Sequence, residues 1–294
     1  MIALGIDIGG TQIKAAAYSA QGEMLCERTM PTHDAPGKSP PIFAIHTRTL
    51  IEQLEAEVGQ AESVGISAPG LADHDGRSIS YMPGRMHGLE GFDWPAKLGR
   101  NVRVLNDAHA ALLGEVWQGA ACGLKHAIML TLGTGVGGAI WSEGRLIRGR
   151  NGRAGHLGHT SLNPYGEPTI TGTPGGLENW IGNHNILERT DGRFATTHEL
   201  VAAYNQGDTF AAEVWLKSIR ALACGIASFI NILDPEAVII GGGIAKSGDA
   251  LFIPLHEALD EIEWRPGGAK TKLLPAQLGE WAGAYGAAWY GMIA

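Results

Sequence analysis

The fold of this chain is indicated most clearly by residues 2–30, IALGIDIGGTQIKAAAYSAQGEMLCERTM. An apolar run over residues 2–8 ends in Gly9-Gly10, and two further β-prone runs follow over residues 13–18 and 23–30. Runs of this length and composition, separated by short turns, are typical of β-hairpins. We therefore predict a three-stranded antiparallel meander with a glycine turn between its first two strands.

The same plan recurs in the second half of the chain, in HAIMLTLGTGVGGAIWS, residues 126–142. An apolar strand over residues 126–132 leads into a glycine turn over residues 133–138, followed by a strand over residues 139–142 and another short strand after Gly144-Arg145. The two halves share this order with little identity. The repeat predicts a duplicated α/β fold of two lobes with a cleft between them, where ligands of such folds usually bind.

The remaining segments complete two α/β cycles. Helical spacing of apolar residues predicts helices over residues 42–58 and 209–233, a third from 244 to about 264 and a last one over 279–294. Short buried strands are predicted at residues 63–68, 102–105 and 237–240. We expect a smaller N-terminal lobe over residues 1–107, a larger lobe over 108–279, and a terminal helix over 280–294 that packs back onto the first lobe.

Composition excludes several classes of protein. The chain has 294 residues, of which 45% are hydrophobic and 18% charged, as in ordinary globular proteins. Its formal net charge of −8 argues against a nucleic-acid partner. Cys26, Cys122 and Cys224 lie far apart and form no C-x-x-C pair, so no disulfide framework is expected. No apolar run reaches about 18 residues, which predicts a cytoplasmic protein with no membrane partner.

Three glycine segments have the composition of phosphate-binding turns. Asp7-Ile-Gly-Gly-Thr11 and Thr131-Leu-Gly-Thr-Gly-Val-Gly-Gly138 occupy matching places in the two halves, and Gly241-Gly-Gly243 follows a predicted strand and precedes a predicted helix. Glycine allows backbone N–H groups to approach phosphate oxygens, and a carboxylate such as Asp7 can hold Mg²⁺ directly or through water. Each segment alone is weak evidence, but two at matching positions indicate a nucleotide site.

The order of the motifs resembles the ROK family of bacterial sugar kinases, repressors and open reading frames. The matching segments span essentially the whole chain: Asp7–Thr11, Ala68-Pro69-Gly70, Asn106-Asp107-Ala108, Thr131–Gly138, Gly152-x-x-Gly155-x-x-Gly158-His159 and Gly241–Gly243. The resemblance implies the actin-like, ribonuclease H-like ATPase fold, in agreement with the predicted duplication. It also implies that the chain binds ATP with Mg²⁺ and a small sugar.

The resemblance assigns roles to particular residues. Asp107 matches the catalytic base that takes the proton of the attacking sugar hydroxyl; from local sequence alone, Asn106-Asp107 before a helix could equally be an N-cap. The sugar-binding positions are Gly70, Asn106, Asp107, His156, His159 and Glu178. The ATP and phosphate positions are Asp7, Gly9, Gly10, Thr11, Gly133, Thr134, Gly135, Gly241, Gly242 and Gly243, with Asp7 as the Mg²⁺ residue.

The chain departs from the family pattern in three places, one of which is Tyr81-Met82-Pro83-Gly84, where relatives often carry an asparagine that contacts sugar in place of Tyr81. His156 stands where most members carry glutamate, as it does in some N-acylmannosamine kinases, so sugar preference is expected to differ. The zinc-binding cysteines of many members are replaced by Thr169, Thr171 and Gly176. Because threonine hydroxyls are poor zinc ligands, we expect no structural zinc.

These observations favour an ATP-dependent kinase that phosphorylates the 6-hydroxyl of a hexose or N-acylhexosamine, such as glucose, N-acetylmannosamine or N-acetylglucosamine. One alternative is a catalytically silent sugar sensor of the same family. A sugar-responsive repressor is disfavoured, because the first phosphate motif begins at Asp7 and the chain is acidic. Polyphosphate remains open as a second donor, although the composition shows no basic track. The family resemblance suggests a homodimer.

Overall fold

The computed structural model describes residues 1–34, 37 and 40–293 and divides the chain into two compact units. The first unit comprises Met1–Gly123, Leu146–Ala154 and Gln277–Ala294, and the second comprises Leu124–Arg145 and Gly155–Ala276. Each unit contains one five-stranded sheet. The strands are β1 Ile2–Ile8, β2 Gln12–Ser19, β3 Met24–Pro31, β4 Ser63–Ala68, β5 Leu71–Ala72, β6 Ile79–Tyr81, β7 Val102–Asn106, β8 Ala127–Leu132, β9 Val136–Ser142, β10 Arg145–Leu146, β11 Ala237–Gly241 and β12 Lys272–Pro275.

The two sheets have the same strand plan. The first has the order β3-β2-β1-β4-β7, in which β1 pairs antiparallel with β2 and parallel with β4. The second has the order β10-β9-β8-β11-β12, in which β8 pairs antiparallel with β9 and parallel with β11. The predicted duplication of an α/β fold is therefore confirmed.

Nine α-helices are assigned among the described residues, with short 3₁₀ turns between several of them. Their bounds are α1 Ile42–Val58, α2 Trp94–Leu98, α3 Asp107–Gln118, α4 Glu178–Ile181, α5 Ile186–Arg189, α6 Thr197–Asn205, α7 Thr209–Leu233, α8 Asp249–Ile262 and α9 Ala282–Ile293. The predicted helices over 42–58 and 209–233 agree with α1 and α7. Ala294, at the end of the predicted terminal helix, lies outside the described residues.

Two predicted boundaries were wrong. Strand β9 begins at Val136, so Gly137 and Gly138 belong to a strand rather than to the turn. An added Cβ at Gly138 would lie only 2.6 Å from the carbonyl oxygen of Gly155, so this glycine serves close packing. The helix expected from residue 244 is a 3₁₀ turn, Ile244–Ser247, interrupted at Gly248, and α8 starts only at Asp249.

The first unit extends beyond the expected boundary at residue 107, because α3 packs within it against α9. Glu115 of α3 is fully buried, and its carboxylate accepts hydrogen bonds from the backbone N–H groups of Ala120, Gln277 and Leu278. These bonds join the end of α3 to the chain segment that leads into α9. The unit therefore reaches Gly123.

Helix α9 lies very close to the first sheet, against β1 and β4. A Cβ added to Gly65 of β4 would lie 1.7 Å from the carbonyl oxygen of Ala287, so no other residue fits there. This close contact holds the C-terminal helix to β4, the strand that pairs with Asp7-bearing β1.

Among the described residues, one helix, α7, is long and apolar enough to cross a membrane. One face of α7, including Trp215, Leu222 and Phe229, is buried in the core of the second unit. The composition of α7 is therefore that of a core helix.

Candidate active site

Asp7 is a half-buried carboxylate near the end of β1, and Ser67 on the adjacent strand β4 donates a hydrogen bond to its Oδ1. Burial raises the pKa of Asp7 to about 6; the negative charge of Asp107 acts in the same direction, while the Ser67 hydroxyl and the charge of Lys14 oppose it. The fold thus brings the predicted metal residue and the predicted base into electrostatic contact. A cation would relieve the cost of holding these charges together.

The first glycine turn, Gly9–Thr11, joins β1 to β2. Gly9 N–H donates to the carbonyl of Gln12 at 3.0 Å, which closes the turn. Thr32 holds the turn from the side: its hydroxyl donates to the carbonyl of Gly9 at 2.6 Å and its N–H to that of Thr11 at 2.9 Å. Sequence reasoning missed Thr32, because nothing local distinguishes a buried threonine after a strand from any other.

Asn106 occupies the junction between β7 and α3 and is almost fully buried. Its Oδ1 accepts hydrogen bonds from the N–H groups of Ala108 and His109 at 2.9 and 3.1 Å, which makes it the N-cap of α3. Its Nδ2 donates to Asp107 Oδ1 and to the carbonyl of Gly70, each at 2.9 Å. One amide therefore joins three of the predicted sugar-site residues.

Asp107 is exposed and is the first residue of α3. Its Oδ1 accepts hydrogen bonds from Asn106 Nδ2 and from the N–H of Ala108, the latter at 2.8 Å. Because Asn106 supplies the cap, the Asp107 carboxylate is not needed to begin the helix. Gly70 has φ of 101°, a conformation that favours glycine, and so presents its carbonyl to Asn106.

The second glycine turn, Gly133–Gly135, is held by the segment that follows α4. Gly133 N–H donates to the carbonyl of Gly135 at 3.0 Å, closing the turn. His184 binds the carbonyl of Thr134 twice, through its N–H at 2.8 Å and its Nδ1 at 3.0 Å. The sequence contained no metal-like spacing around His184, and its place beside this turn becomes visible only in the fold.

Glu178, the first residue of α4, is buried between His159 and the second glycine turn. Its Oε1 lies 3.2 Å from Nδ1 of His159, and a Cβ added at Gly135 would lie 2.7 Å from its Oε2. Burial acts to raise the pKa of Glu178, but the hydrogen bond and charge of His159, the charge of His184 and the N–H of Val136 hold it below its ordinary value. Glu178 is therefore a carboxylate at neutral pH.

His156 begins the 3₁₀ turn Leu157–His159 and is half-buried. Its ring lies nearly parallel to that of His159, with 6.4 Å between the ring centres and 15° between the planes. The two imidazoles and Glu178 therefore form one polar cluster within the second unit.

Gly241 is the last residue of β11 and Gly242-Gly243 follow it, but no α-helix starts directly after them. Gly242 has φ of 87°, and a Cβ there would lie 2.3 Å from the carbonyl of Leu132. The helix expected directly after this segment is a single 3₁₀ turn, so only that part of the expectation was wrong; the nucleotide role of these glycines stays a prediction.

The loop that replaces the zinc-binding segment is closed by threonines. Thr169 N–H donates to the carbonyl of Thr173 at 2.8 Å, and Gly172 N–H donates to that of Thr169 at 2.9 Å. The hydroxyls of Thr169 and Thr171 are hydrogen-bonded at 3.0 Å. These bonds stabilise the loop through side-chain and backbone groups of the chain itself.

We expect the thermal stability of the protein to be insensitive to metal chelators, because hydroxyl and backbone hydrogen bonds close this loop. The measurement is the melting temperature before and after dialysis against EDTA, with elemental analysis of the purified protein. Stoichiometric zinc, or a melting temperature that falls on chelation and recovers with zinc, would contradict this expectation.

Within the first unit the fold collects Asp7, Gly9, Gly10, Thr11, Gly70, Asn106 and Asp107 around the carboxyl ends of β1, β4 and β7. Within the second it collects Gly133, Thr134 and Gly135 with His156, His159 and Glu178. Gly241 ends β11, which neighbours β8, and Gly242 and Gly243 follow it. The predicted residues therefore form one group in each unit.

Comparison with known proteins identifies the family. The model of the ROK family matches residues 3–291. The chain belongs to the ROK family. A glucokinase of Thermotoga maritima is 34% identical over 310 residues, covering 97% of this chain and 95% of the relative. An N-acetylmannosamine kinase of Escherichia fergusonii is 30% identical over 294 residues, covering 98% and 97%.

Solved ROK structures share the architecture along the whole chain. A ROK hexokinase from Thermus thermophilus superposes with a TM-score of 0.88 at 31% identity, covering 100% of this chain and 98% of the other. A ROK glucokinase from Streptomyces griseus, solved with glucose and AMPPNP, gives a TM-score of 0.82 at 28% identity and covers both chains fully. This ROK protein thus has the actin-like ATPase fold, and it is a carbohydrate kinase.

Proposed function

We propose that this ROK protein transfers the γ-phosphoryl group of ATP to the 6-hydroxyl of a hexose or N-acylhexosamine. The observation that carries the proposal is that Asn106, and not Asp107, is the N-cap of α3. Asn106 caps α3, and this leaves the exposed Asp107 carboxylate, oriented by two donors to its Oδ1, for chemistry. A carboxylate held in this way is suited to accept the proton of an attacking hydroxyl.

Asp107 acts as the general base in this proposal. It takes the hydroxyl proton as the sugar oxygen attacks the γ-phosphorus, and ADP leaves on the opposite side of that phosphorus. Asn106 keeps the carboxylate in place through its 2.9 Å hydrogen bond. Orientation of the base and of the phosphate supplies most of the rate in such reactions.

The two glycine turns would hold the phosphates. Gly10 and Gly133 do not adopt positive φ, and no atom lies within 4 Å of a Cβ built on either residue. Neither backbone conformation nor packing in the protein requires glycine at these positions. Bare backbone that remains open to solvent is what close approach of phosphate oxygens needs.

The residues present fit a magnesium ion bound with ATP. In the part of the chain that the structure describes, no group of three or more His, Cys, Asp or Glu residues could hold a metal by itself. Magnesium commonly uses one or two carboxylates together with substrate phosphates, and half-buried Asp7 feels a second negative charge, that of Asp107, which a cation would balance. When bound, the ion neutralises charge that develops on the phosphates.

We assign sugar selection to His156, His159 and Glu178. Glu178 is a buried carboxylate paired with His159, so the pair presents an acceptor and a donor to sugar hydroxyls. His156 offers a ring nitrogen where most ROK members have a carboxylate. This favours a sugar with a substituent that hydrogen-bonds to imidazole. The glucokinase and N-acetylmannosamine kinase relatives support a hexose or an N-acylhexosamine equally.

A cytoplasmic enzyme with no nucleic-acid or membrane partner is part of this proposal. The net charge of −8 opposes nucleic acid, and the apolar face of α7 is buried in a core. The homodimer suggested by the family stays a prediction, which analytical ultracentrifugation would test.

The test is a coupled ADP-release assay with Mg²⁺-ATP across glucose, mannose, fructose, allose, N-acetylglucosamine and N-acetylmannosamine, with NMR of the product to locate the phosphate. Turnover of one sugar with a 6-phosphate product supports the proposal. No turnover of any sugar, with sugar binding still visible by calorimetry, would support the sensor instead. Replacing ATP by polyphosphate tests the donor.

We expect His156→Glu to change the ratio of kcat/KM between glucose and N-acetylmannosamine by at least about tenfold. The substitution turns a group that can donate into a carboxylate that only accepts, and lost hydroxyl contacts are worth this much or more in discrimination. The measurement is kcat/KM for both sugars. His198→Glu, on the exposed surface of α6 in the same unit, is the matched control and should leave the ratio unchanged. An unchanged ratio in His156→Glu would remove His156 from sugar selection.

A further inference from the structure

The first turn of α9 lies directly against the Asp7 carboxylate. A Cβ built on Gly283, the second residue of α9, would lie 2.7 Å from Asp7 Cγ and 2.8 and 2.9 Å from its two oxygens. Separations below 3 Å are too short for a carbon atom, so any side chain at this position displaces the carboxylate. Glycine is also a poor helix former, so helix propensity does not account for it.

Other glycines of α9 have different neighbours. Gly286 faces the carbonyl of Ala110, and Gly291 faces the backbone of Val64 and Gly65. These positions permit close packing of α9 on its neighbours. Gly283 differs because the atoms nearest to a Cβ built on it belong to the Asp7 carboxylate, the proposed metal residue.

Ser67 constrains the same carboxylate through a hydrogen bond. It is fully buried, lies opposite Asp7 in the register of β1 and β4, and donates its hydroxyl proton to Asp7 Oδ1. A hydroxyl that donates to a carboxylate holds both its position and its charged form. Together, Ser67 and Gly283 leave the carboxylate little freedom to move.

We propose that Gly283 and Ser67 are positioning residues for Asp7, which set where its carboxylate meets the metal-nucleotide. This inference rests on the proposed role of Asp7 in the kinase reaction. The N-terminal turn of α9 also carries partial positive charge, which favours the carboxylate form beside it. The C-terminal helix therefore acts on the active site through the missing side chain at Gly283.

The expected consequence follows from the tolerance of magnesium sites. Magnesium demands near-ideal octahedral geometry, so a carboxylate displaced by a few tenths of an ångström is a poorer partner. Loss of a group that orients a metal residue typically weakens metal affinity by about 10- to 100-fold. We expect an effect of this size from Gly283→Ala.

The experiment measures binding of Mn²⁺, a paramagnetic probe for Mg²⁺, in the presence of AMPPNP by electron paramagnetic resonance. Gly291→Ala is the matched control: it is the same substitution in the same helix, and its Cβ would meet backbone at 3.0 Å, far from Asp7. We expect Gly283→Ala to weaken Mn²⁺ binding by about tenfold or more and Gly291→Ala by less than about twofold. Equal Mn²⁺ affinity in the wild type and Gly283→Ala would overturn the role of Gly283.

Ser67→Ala provides a second test that introduces no steric clash, should Gly283→Ala not fold. Its control is Ser63→Ala on the same strand, whose hydroxyl is buried without a hydrogen-bond partner. Weaker Mn²⁺ binding in Ser67→Ala alone supports the proposal, and equal loss in both variants overturns it. Asp7→Asn distinguishes the positioning roles of Gly283 and Ser67 from the metal role of Asp7. Mn²⁺ binding that survives this change would refute the proposed metal role of Asp7 itself.

Discussion

Asp107→Asn is expected to lower kcat by between about 10²- and 10⁴-fold while the protein remains folded. An amide cannot accept the hydroxyl proton, so the sugar hydroxyl would have to attack without a base to deprotonate it. The asparagine oxygen can still accept the hydrogen bonds that Asp107 Oδ1 receives from Asn106 Nδ2 and Ala108 N–H. Since Asn106 is the N-cap, the start of α3 is preserved.

The control for Asp107→Asn is Asp249→Asn. Asp249 is an exposed aspartate and, like Asp107, the first residue of a helix, in this case α8. It should tolerate the change with full activity. Sugar affinity by calorimetry should stay within about tenfold of the wild type in Asp107→Asn, because the lost function is proton transfer rather than binding. A kcat within a few-fold of the wild type would mean that Asp107 is not the base.

Asp7→Asn is expected to abolish magnesium-dependent turnover. It should also remove the unfavourable contribution that the charged Asp7 carboxylate makes to the free energy of unfolding at neutral pH. Burial holds the pKa of Asp7 at about 6 in the folded protein, against an ordinary 3.8. The folded state therefore keeps the proton to higher pH than the unfolded chain, and the stability due to protonated Asp7 is present below about pH 4. It is lost as the pH rises towards about 6.

The size of this effect follows from the shift in pKa. Each pKa unit is worth about 1.4 kcal/mol, so a pKa raised from 3.8 to about 6 corresponds to about 3 kcal/mol. We expect the free energy of unfolding of Asp7→Asn, relative to the wild type, to rise by about this amount between pH 4 and pH 7 in EDTA. Using the difference between the two proteins cancels the titration of all other groups.

Urea unfolding of both proteins across this pH range is the measurement. Mg²⁺ with AMPPNP should restore wild-type stability at pH 7, because the cation favours the charged carboxylate. Asp107→Asn should reduce the pH dependence, since the charge of Asp107 contributes to the raised pKa. Parallel stability curves for the wild type and Asp7→Asn would show that Asp7 titrates normally and refute the prediction.

The parts of the fold that sequence analysis predicted well depend on local patterns. Strands β1 to β3 and helices α1 and α7 lie where apolar periodicity placed them, because a regular element repeats its buried face along the chain. The predicted starts of β9 and α8 were less accurate, because the sequence does not show which structural role a glycine has. Gly138 serves close packing inside a strand, and Gly248, with φ of 56°, ends a turn before α8.

At the candidate site, the sequence left one question that the fold answered. Asn106-Asp107 could be a helix cap or a catalytic pair, and the two readings use the same residue types at the same spacing. The hydrogen bonds assign the cap to Asn106 and leave Asp107 exposed, so the cap does not conflict with the catalytic role proposed for Asp107. No local pattern contains this information, because it depends on which oxygen faces the N–H groups of α3.

The family, the duplicated α/β plan and the residue types of the phosphate and sugar motifs could be inferred from the amino-acid sequence alone, because short contiguous segments carry them. The environment of Asp7 became visible only in the folded protein: its desolvation, its proximity to Asp107, and the contacts with Ser67 and Gly283. Ser67 is 60 residues from Asp7, and Gly283 lies near the other end of the chain. Strand pairing and the return of α9 onto the first sheet bring these groups together, and the resulting desolvation and charge proximity set the chemistry of the carboxylate.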